Sequence, residues 1–184
     1  VPLYALAAFA KTDAAPGEPK NRLAAEAGPK LYLVGATSTA VTTVGQVPAA
    51  KEDLSIARLG SGHYPQLESF RRLRTNILAS GPSGSQVVLL TSAKRGEGKS
   101  TVSGNLAVTI AQSGREVVVV DCDLRLPTVH KLFDLPNKRG LTNILAGEVS
   151  LDEAIQYSAF PRVQVITSGP LPPNPTELLG SQRM

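Results

Sequence analysis

Two unbroken apolar runs, QVVLLTS (residues 86–92) and REVVVVD (residues 115–121), constrain this chain more than any other feature. Between them lies GKSTVSGNLAVTIAQSG, which places Val102, Leu106 and Ile110 on one helical face and stops at Gly114. A strand with no polar alternation needs cover on both faces, and strand–helix–strand in this order is a parallel βαβ unit. The expected fold is therefore α/β: a doubly wound, mostly parallel sheet in a three-layer, Rossmann-like arrangement.

The rest of the chain fits one such domain. At 184 residues with 42% hydrophobic and 18% charged residues it can bury a core, and only 4% aromatics makes that core aliphatic. QLESFRRLRTNIL sets Leu67, Phe70, Leu73, Ile77 and Leu78 at helical spacing, with Glu68, Arg71, Arg72 and Arg74 largely off that stripe. GLTNILAGEVSLDEAIQYS reads as a turn with one or two short helices, and RVQVITSG as a third strand of the sheet. Residues 1–60, rich in Ala, Gly, Pro and Thr with short candidate strands at 31–34 and 41–47, read as linker or loosely specified structure. The expected domain is 61–184.

Several function classes are excluded. A net charge of +4, scattered except for Arg71, Arg72 and Arg74, is too thin for nucleic-acid binding. The single Cys122 rules out an intrachain disulfide framework. The opening VPLYALAAFA is ten residues, short of the roughly 20 that a membrane helix needs, and lacks the basic start of a signal peptide. A start on Val1 and an end on Met184, just after the helix-like TELLGSQRM, give the expectation of a piece of a longer protein.

The loop between the first strand and its helix is TSAKRGEGKST, residues 91–101. Glycines at 96 and 98 let the backbone close around phosphate oxygens, and successive amides at a helix N-terminus favour an anion. Lys99 would reach the β- and γ-phosphates of a nucleotide, and the Ser100 hydroxyl would ligate Mg²⁺. Against the phosphate-loop pattern G-x-x-x-x-G-K-[ST], Ala93 replaces the first glycine. Lys94, Arg95, Gly96, Glu97, Gly98, Lys99, Ser100 and Thr101 are the expected nucleotide contacts, with Thr101 starting the helix. The second constellation, VVVVDCDLRLP, puts Asp121 and Asp123 at the carboxyl end of the next strand, where open α/β sheets place their crevice. Two carboxylates there can hold Mg²⁺ or take a proton from a hydroxyl; the plainer alternative is that both cap the turn that follows.

In this order, TSAKRGEGKST, VVVVDCDLRLP, KRGLTNILAGEVSLDEAI and TSGPLPPNPTELLGS resemble the ATPase domain of the bacterial tyrosine kinases that regulate polysaccharide export, from about Glu68 to the last residue. The resemblance implies a P-loop NTPase fold, ATP and Mg²⁺ as cofactors, and protein-tyrosine autokinase activity. GEGKS would be the Walker A motif, and Asp121, Asp123 and Arg125 the D-x-D-x-R motif of the kinases. Lys99, Asp121, Asp123 and Arg125 would carry catalysis, with Ser100, Asp121 and Asp123 at the metal; which aspartate is the base stays open. Glu68, Arg71 and Arg74 match the family's E-x-x-R-x-x-R helix, which implies a ring-like homo-oligomer. The family also implies a membrane-spanning segment or activator subunit as partner, the cytoplasmic face of the bacterial cell membrane as location, and a juxtamembrane role for residues 1–60.

Departures from that pattern exist. Arg95 stands where the family usually has proline, and the chain stops before the strand ending in an aspartate and two prolines. The domain is thus expected to be incomplete at its C-terminus. A terminal tyrosine cluster is absent, the last tyrosine being Tyr157. Two other classes share the loop: switch ATPases of division and partition, whose dimer-spanning lysine corresponds to Lys94, and regulators of polymer length that have lost the chemistry.

Overall fold

The computed structural model describes residues 3–8, 30–34, 41–47, 66–80, 86–91 and 96–184. In chain order the strands are β1 (Leu3–Ala8), β2 (Lys30–Val34), β3 (Val41–Gln46), β4 (Gln86–Leu90), β5 (Glu116–Asp121), β6 (Gln156–Tyr157) and β7 (Val163–Ile166). The helices are α1 (Leu67–Ser80), α2 (Lys99–Ala111), α3 (Val129–Leu132), α4 (Leu141–Ala146), α5 (Leu151–Ala154) and α6 (Pro175–Leu179). Five strands form one sheet in the order β4-β1-β5-β7-β6, and β2 and β3 form a separate antiparallel pair. β4, β1, β5 and β7 run parallel, and β6 closes the edge antiparallel to β7. This is the mostly parallel α/β sheet that the apolar runs require.

β5 shows why its run is unbroken. Val117 and Val119 turn to one face and pack with Phe70, Leu73, Leu106 and Ile110 of α1 and α2. Val118 turns to the other, beside Leu141, Leu145 and Ile166, with Leu178 and Leu179 of α6 partly buried against them. The alternation of side chains along a strand thus feeds two apolar layers, and both are covered. β4 differs. Val88 and Leu90 are buried, whereas Val87 and Leu89 stand 79% and 56% exposed, so the second face is open at this end of the sheet among the described residues.

α2 is buried from Val102 to Ala111 without interruption. In a helix covered all round the polar side chains must find partners away from water, and here the donors of Ser103, Asn105 and Thr109 find them on the helix's own backbone. Ser103 Oγ donates to Lys99 O at 2.9 Å, Asn105 Nδ2 to Thr101 O at 2.7 Å and Thr109 Oγ1 to Asn105 O at 2.7 Å. Gly114, at φ +87°, ends the element. On α1 the expected stripe is the buried one: Leu67, Phe70, Leu73 and Ile77 are each 6% exposed or less.

The reading of residues 1–60 as linker does not describe β1, a correction for that stretch. Leu3–Ala8 lies inside the main sheet, between β4 and β5, with Ala8 in register with Leu90 and Asp121. Its sequence, LYALAA, is an uninterrupted apolar run of the kind central strands carry. The expected strands at 31–34 and 41–47 are β2 and β3, with an irregularity of register at Leu31/Tyr32.

Candidate nucleotide site

The site forms where β4 and β5 end. Gly96 and Gly98 adopt φ of +81° and +85°, and an added Cβ at either would meet nothing within 4 Å. These glycines are required by backbone conformation rather than by space. Gly98 is the N-cap of α2 and offers no side-chain oxygen, while its carbonyl accepts the Val102 amide at 2.8 Å. No acidic residue occupies the first turn either. Neither the N-cap side chain nor an acidic residue of the first turn therefore occupies the leading amides of α2, and the helix dipole adds to their attraction for phosphate. Lys99, Ser100 and Thr101 are half-buried in this first turn, and Glu97 is exposed between the glycines. Lys94 and Arg95 lie outside the described residues.

Asp121 closes β5 and is fully buried. Its Oδ1 accepts the Asp123 amide at 3.1 Å and its Oδ2 the Val129 amide at 3.1 Å. Asp123, 8% exposed, accepts the Leu126 amide at 3.0 Å. The strand stops at Asp121, and both carboxylates organise the turn that leads into α3: the turn-capping alternative is realised. Each oxygen of an ionised carboxylate has a second lone pair, so capping does not exhaust Asp121 as a ligand. Burial drives the Asp121 carboxyl up from 3.8 to about 6, against the lowering effect of the Val129 and Asp123 amides, while the nearby Asp123 charge raises it further. The ionised form is poorly solvated there, an environment that favours a cation nearby.

The two halves meet through a residue that the motifs do not mark. Thr128 Oγ1 donates to Ser100 Oγ at 2.8 Å, and the next residue, Val129, gives its amide to Asp121. The phosphate-loop hydroxyl and the β5 carboxylate thus share one turn. Among the described residues no group of three or more His, Cys, Asp or Glu side chains could hold a metal ion unaided. One hydroxyl and one or two carboxylates suit a hard, oxygen-seeking cation such as Mg²⁺, which completes its shell with phosphate and water.

Four expected functional residues, Arg125, Glu68, Arg71 and Arg74, are placed elsewhere. Arg125 is exposed and makes a weak 3.5 Å contact from Nη2 to Thr176 Oγ1 at the start of α6. On α1, Glu68 pairs with Arg71 at 3.9 Å and with Arg72 at 3.6 Å, all three exposed. Arg74 turns inward instead, and its Nη1 donates to Thr109 O at 3.1 Å. The Ser113 amide goes to Ile110 O, so Arg74 takes up a carbonyl at the C-terminal end of α2. A turn missed by sequence reasoning braces the same end of the sheet: the Asn137 side chain joins Ser168 and Gly169, and the Leu141 and Thr142 amides donate to Thr167 O and Ser168 O.

Comparison with known proteins agrees with this fold. A ParA family model, described as NUBPL iron-transfer P-loop NTPase, matches residues 84–159. The chain is 50% identical over 118 residues to the tyrosine-protein kinase YwqD of Bacillus subtilis, covering 64% of this chain and 50% of that one. It is 41% identical over 117 residues to the putative tyrosine-protein kinase CapB of Staphylococcus aureus, covering 63% and 51%. Among solved structures it is similar to the chimerical protein CapA2B2 (39% identity, TM-score 0.66, covering 72% of this chain and 58% of that one). It is also similar to the kinase domain of the Escherichia coli tyrosine kinase ETK (37% identity, TM-score 0.63, covering 67% and 49%). The chain spans about half the length of those two curated relatives. Over residues 84–159 it matches a ParA-like P-loop NTPase domain, and its curated homologues include bacterial tyrosine-protein kinases.

Proposed function

We propose that this chain is the ATP-binding portion of a protein-tyrosine autokinase that regulates capsular or exopolysaccharide synthesis and export. The observation that carries the reading is the single turn shared by Ser100, Thr128 and Asp121, set beside two left-handed glycines at the head of α2. The α2 amides and Lys99 bind and orient the triphosphate. Ser100 and Asp121, with Asp123 beside them, hold Mg²⁺, which when bound neutralises charge on the phosphate oxygens. A carboxylate of the Asp121–Asp123 pair accepts the tyrosine proton.

The remaining assignments rest on the same homology. Glu68 and Arg71, exposed on α1, are available to a neighbouring subunit of a ring-like homo-oligomer. Arg74, bonded within its own chain, supports the helix that presents them. A membrane-spanning segment or activator subunit is the expected partner, with the domain on the cytoplasmic face of the membrane. No helix among the described residues is long and apolar enough to cross a membrane.

Lys99→Ala tests the reading. Loss of a charge-assisted phosphate contact costs about 1.5–3 kcal/mol, so calorimetry should read an ATP affinity lowered about ten- to a hundredfold. Unchanged affinity would refute the phosphate-loop assignment. The ParA family match also favours a switch ATPase, the second reading. Phosphotyrosine formed from ATP supports the kinase; hydrolysis without it supports the switch.

A further inference from the structure

We infer that Thr128 is a positioning residue that orients the Ser100 hydroxyl for a divalent cation. The inference deepens the nucleotide-site reading and rests on it.

Thr128 is the N-cap of α3, where a threonine ordinarily turns its hydroxyl onto an amide of its own helix. Here no side-chain cap forms. The α3 amides of Lys131 and Leu132 both reach the Thr128 backbone carbonyl at 3.1 Å, which leaves the hydroxyl for Ser100 at 2.8 Å. Thr128 does not choose this place alone. Asp121 fixes it by holding the Val129 and Asp123 amides, and Asp123 by holding the Leu126 amide. The turn from β5 to α3 therefore brings one hydroxyl to a residue 28 positions earlier in the chain.

The chemistry of a hydroxyl ligand explains what that contact does. A serine that gives a lone pair to a cation must point its hydrogen away from the ion, toward an acceptor. Thr128 Oγ1 is such an acceptor, because a hydroxyl can donate and accept and its hydrogen rotates freely. Cation binding would reverse the pair, from Thr128 donating to Ser100 donating, and so turn the Ser100 lone pairs to the site. A partner that orients a metal ligand commonly changes metal affinity by about 10–100-fold. Thr128 is exposed, so water can replace part of the effect, and the lower end of that range applies.

Thr128→Val keeps the branched shape and removes the hydroxyl; Thr128→Ser keeps the hydroxyl. ATP binding to the chain is measured by calorimetry with Mg²⁺ and again in chelator, and the ratio of the two affinities is the Mg²⁺ gain. Thr128→Val should lower that gain about tenfold and leave metal-free ATP affinity unchanged, while Thr128→Ser stays within about twofold of the parent. A full Mg²⁺ gain in Thr128→Val overturns the inference and leaves the nucleotide site standing. Equal losses with and without Mg²⁺ overturn it too, by showing a merely structural role. A parent that binds no ATP overturns both readings.

Discussion

Burial of Asp121 makes the fold itself sensitive to pH. Its carboxyl titrates at about 6 in the folded chain against 3.8 as the ordinary value. Between those values the folded state holds a proton that the unfolded chain has released. Stability is therefore greatest below about pH 4, falls as pH rises toward 6, and is level above it. A shift of about two pKa units corresponds to about 3 kcal/mol. The Asp121→Asn variant removes the titration and also loses one acceptor for the two amides, which adds a pH-independent offset. Urea unfolding of both proteins, without nucleotide or cation, from about pH 4 to about pH 8 separates the two effects. Glu153, held low by the Ser150 amide and hydroxyl, and His130, held low by burial and Lys131, lose stability as pH falls. Both are common to the two proteins and cancel in the difference. Relative to the variant, the parent should lose about 2.4 kcal/mol between about pH 4 and about pH 7, the rest being lost below about pH 4, where the unfolded carboxyl begins to ionise. A difference constant to within about 0.5 kcal/mol across that range would refute the buried-carboxylate argument.

Two further substitutions report on the frame around the site. Arg74→Ala should destabilise the chain by about 1–2 kcal/mol in urea unfolding, because the Thr109 carbonyl loses its charged donor at the end of α2; Glu68→Ala, which breaks only exposed pairs, should stay within about 0.5 kcal/mol of the parent. Gly140→Ala should cost about 1–3 kcal/mol by the same measure, since a Cβ there falls on the Thr167 carbonyl and the Gly169 amide and the backbone must move.

What was legible in the sequence is what local pattern controls. The α1 stripe, the left-handed glycines and the buried β5 run each follow from spacing or from a backbone requirement a few residues long. The contacts that complete the site follow from tertiary proximity. Nothing near Arg74 in sequence announces the Thr109 carbonyl 35 positions away, and the i, i+3 spacing grouped it instead with Glu68 and Arg71. β1 was obscured by composition: half of LYALAA is alanine, a residue depleted in strands, in a stretch otherwise rich in Pro, Gly and Thr. Val87 and Leu89 show the converse, since an apolar run states that cover is needed without saying what supplies it.

Asp121 is the residue where fold and chemistry are hardest to separate. Its carboxylate holds the turn by accepting two amides, and the same burial that suits it to a cap leaves its charge in want of a cation. Any substitution there disturbs the turn and the candidate ligand together, so a lost activity cannot be apportioned. Thr128 separates them. Among the described residues no amide of the turn depends on its hydroxyl, which bonds to Ser100, so the turn can stand while the ligand loses its orientation. The order of events in the fold then follows: the aspartates shape the turn, the turn places Thr128, and Thr128 aims Ser100.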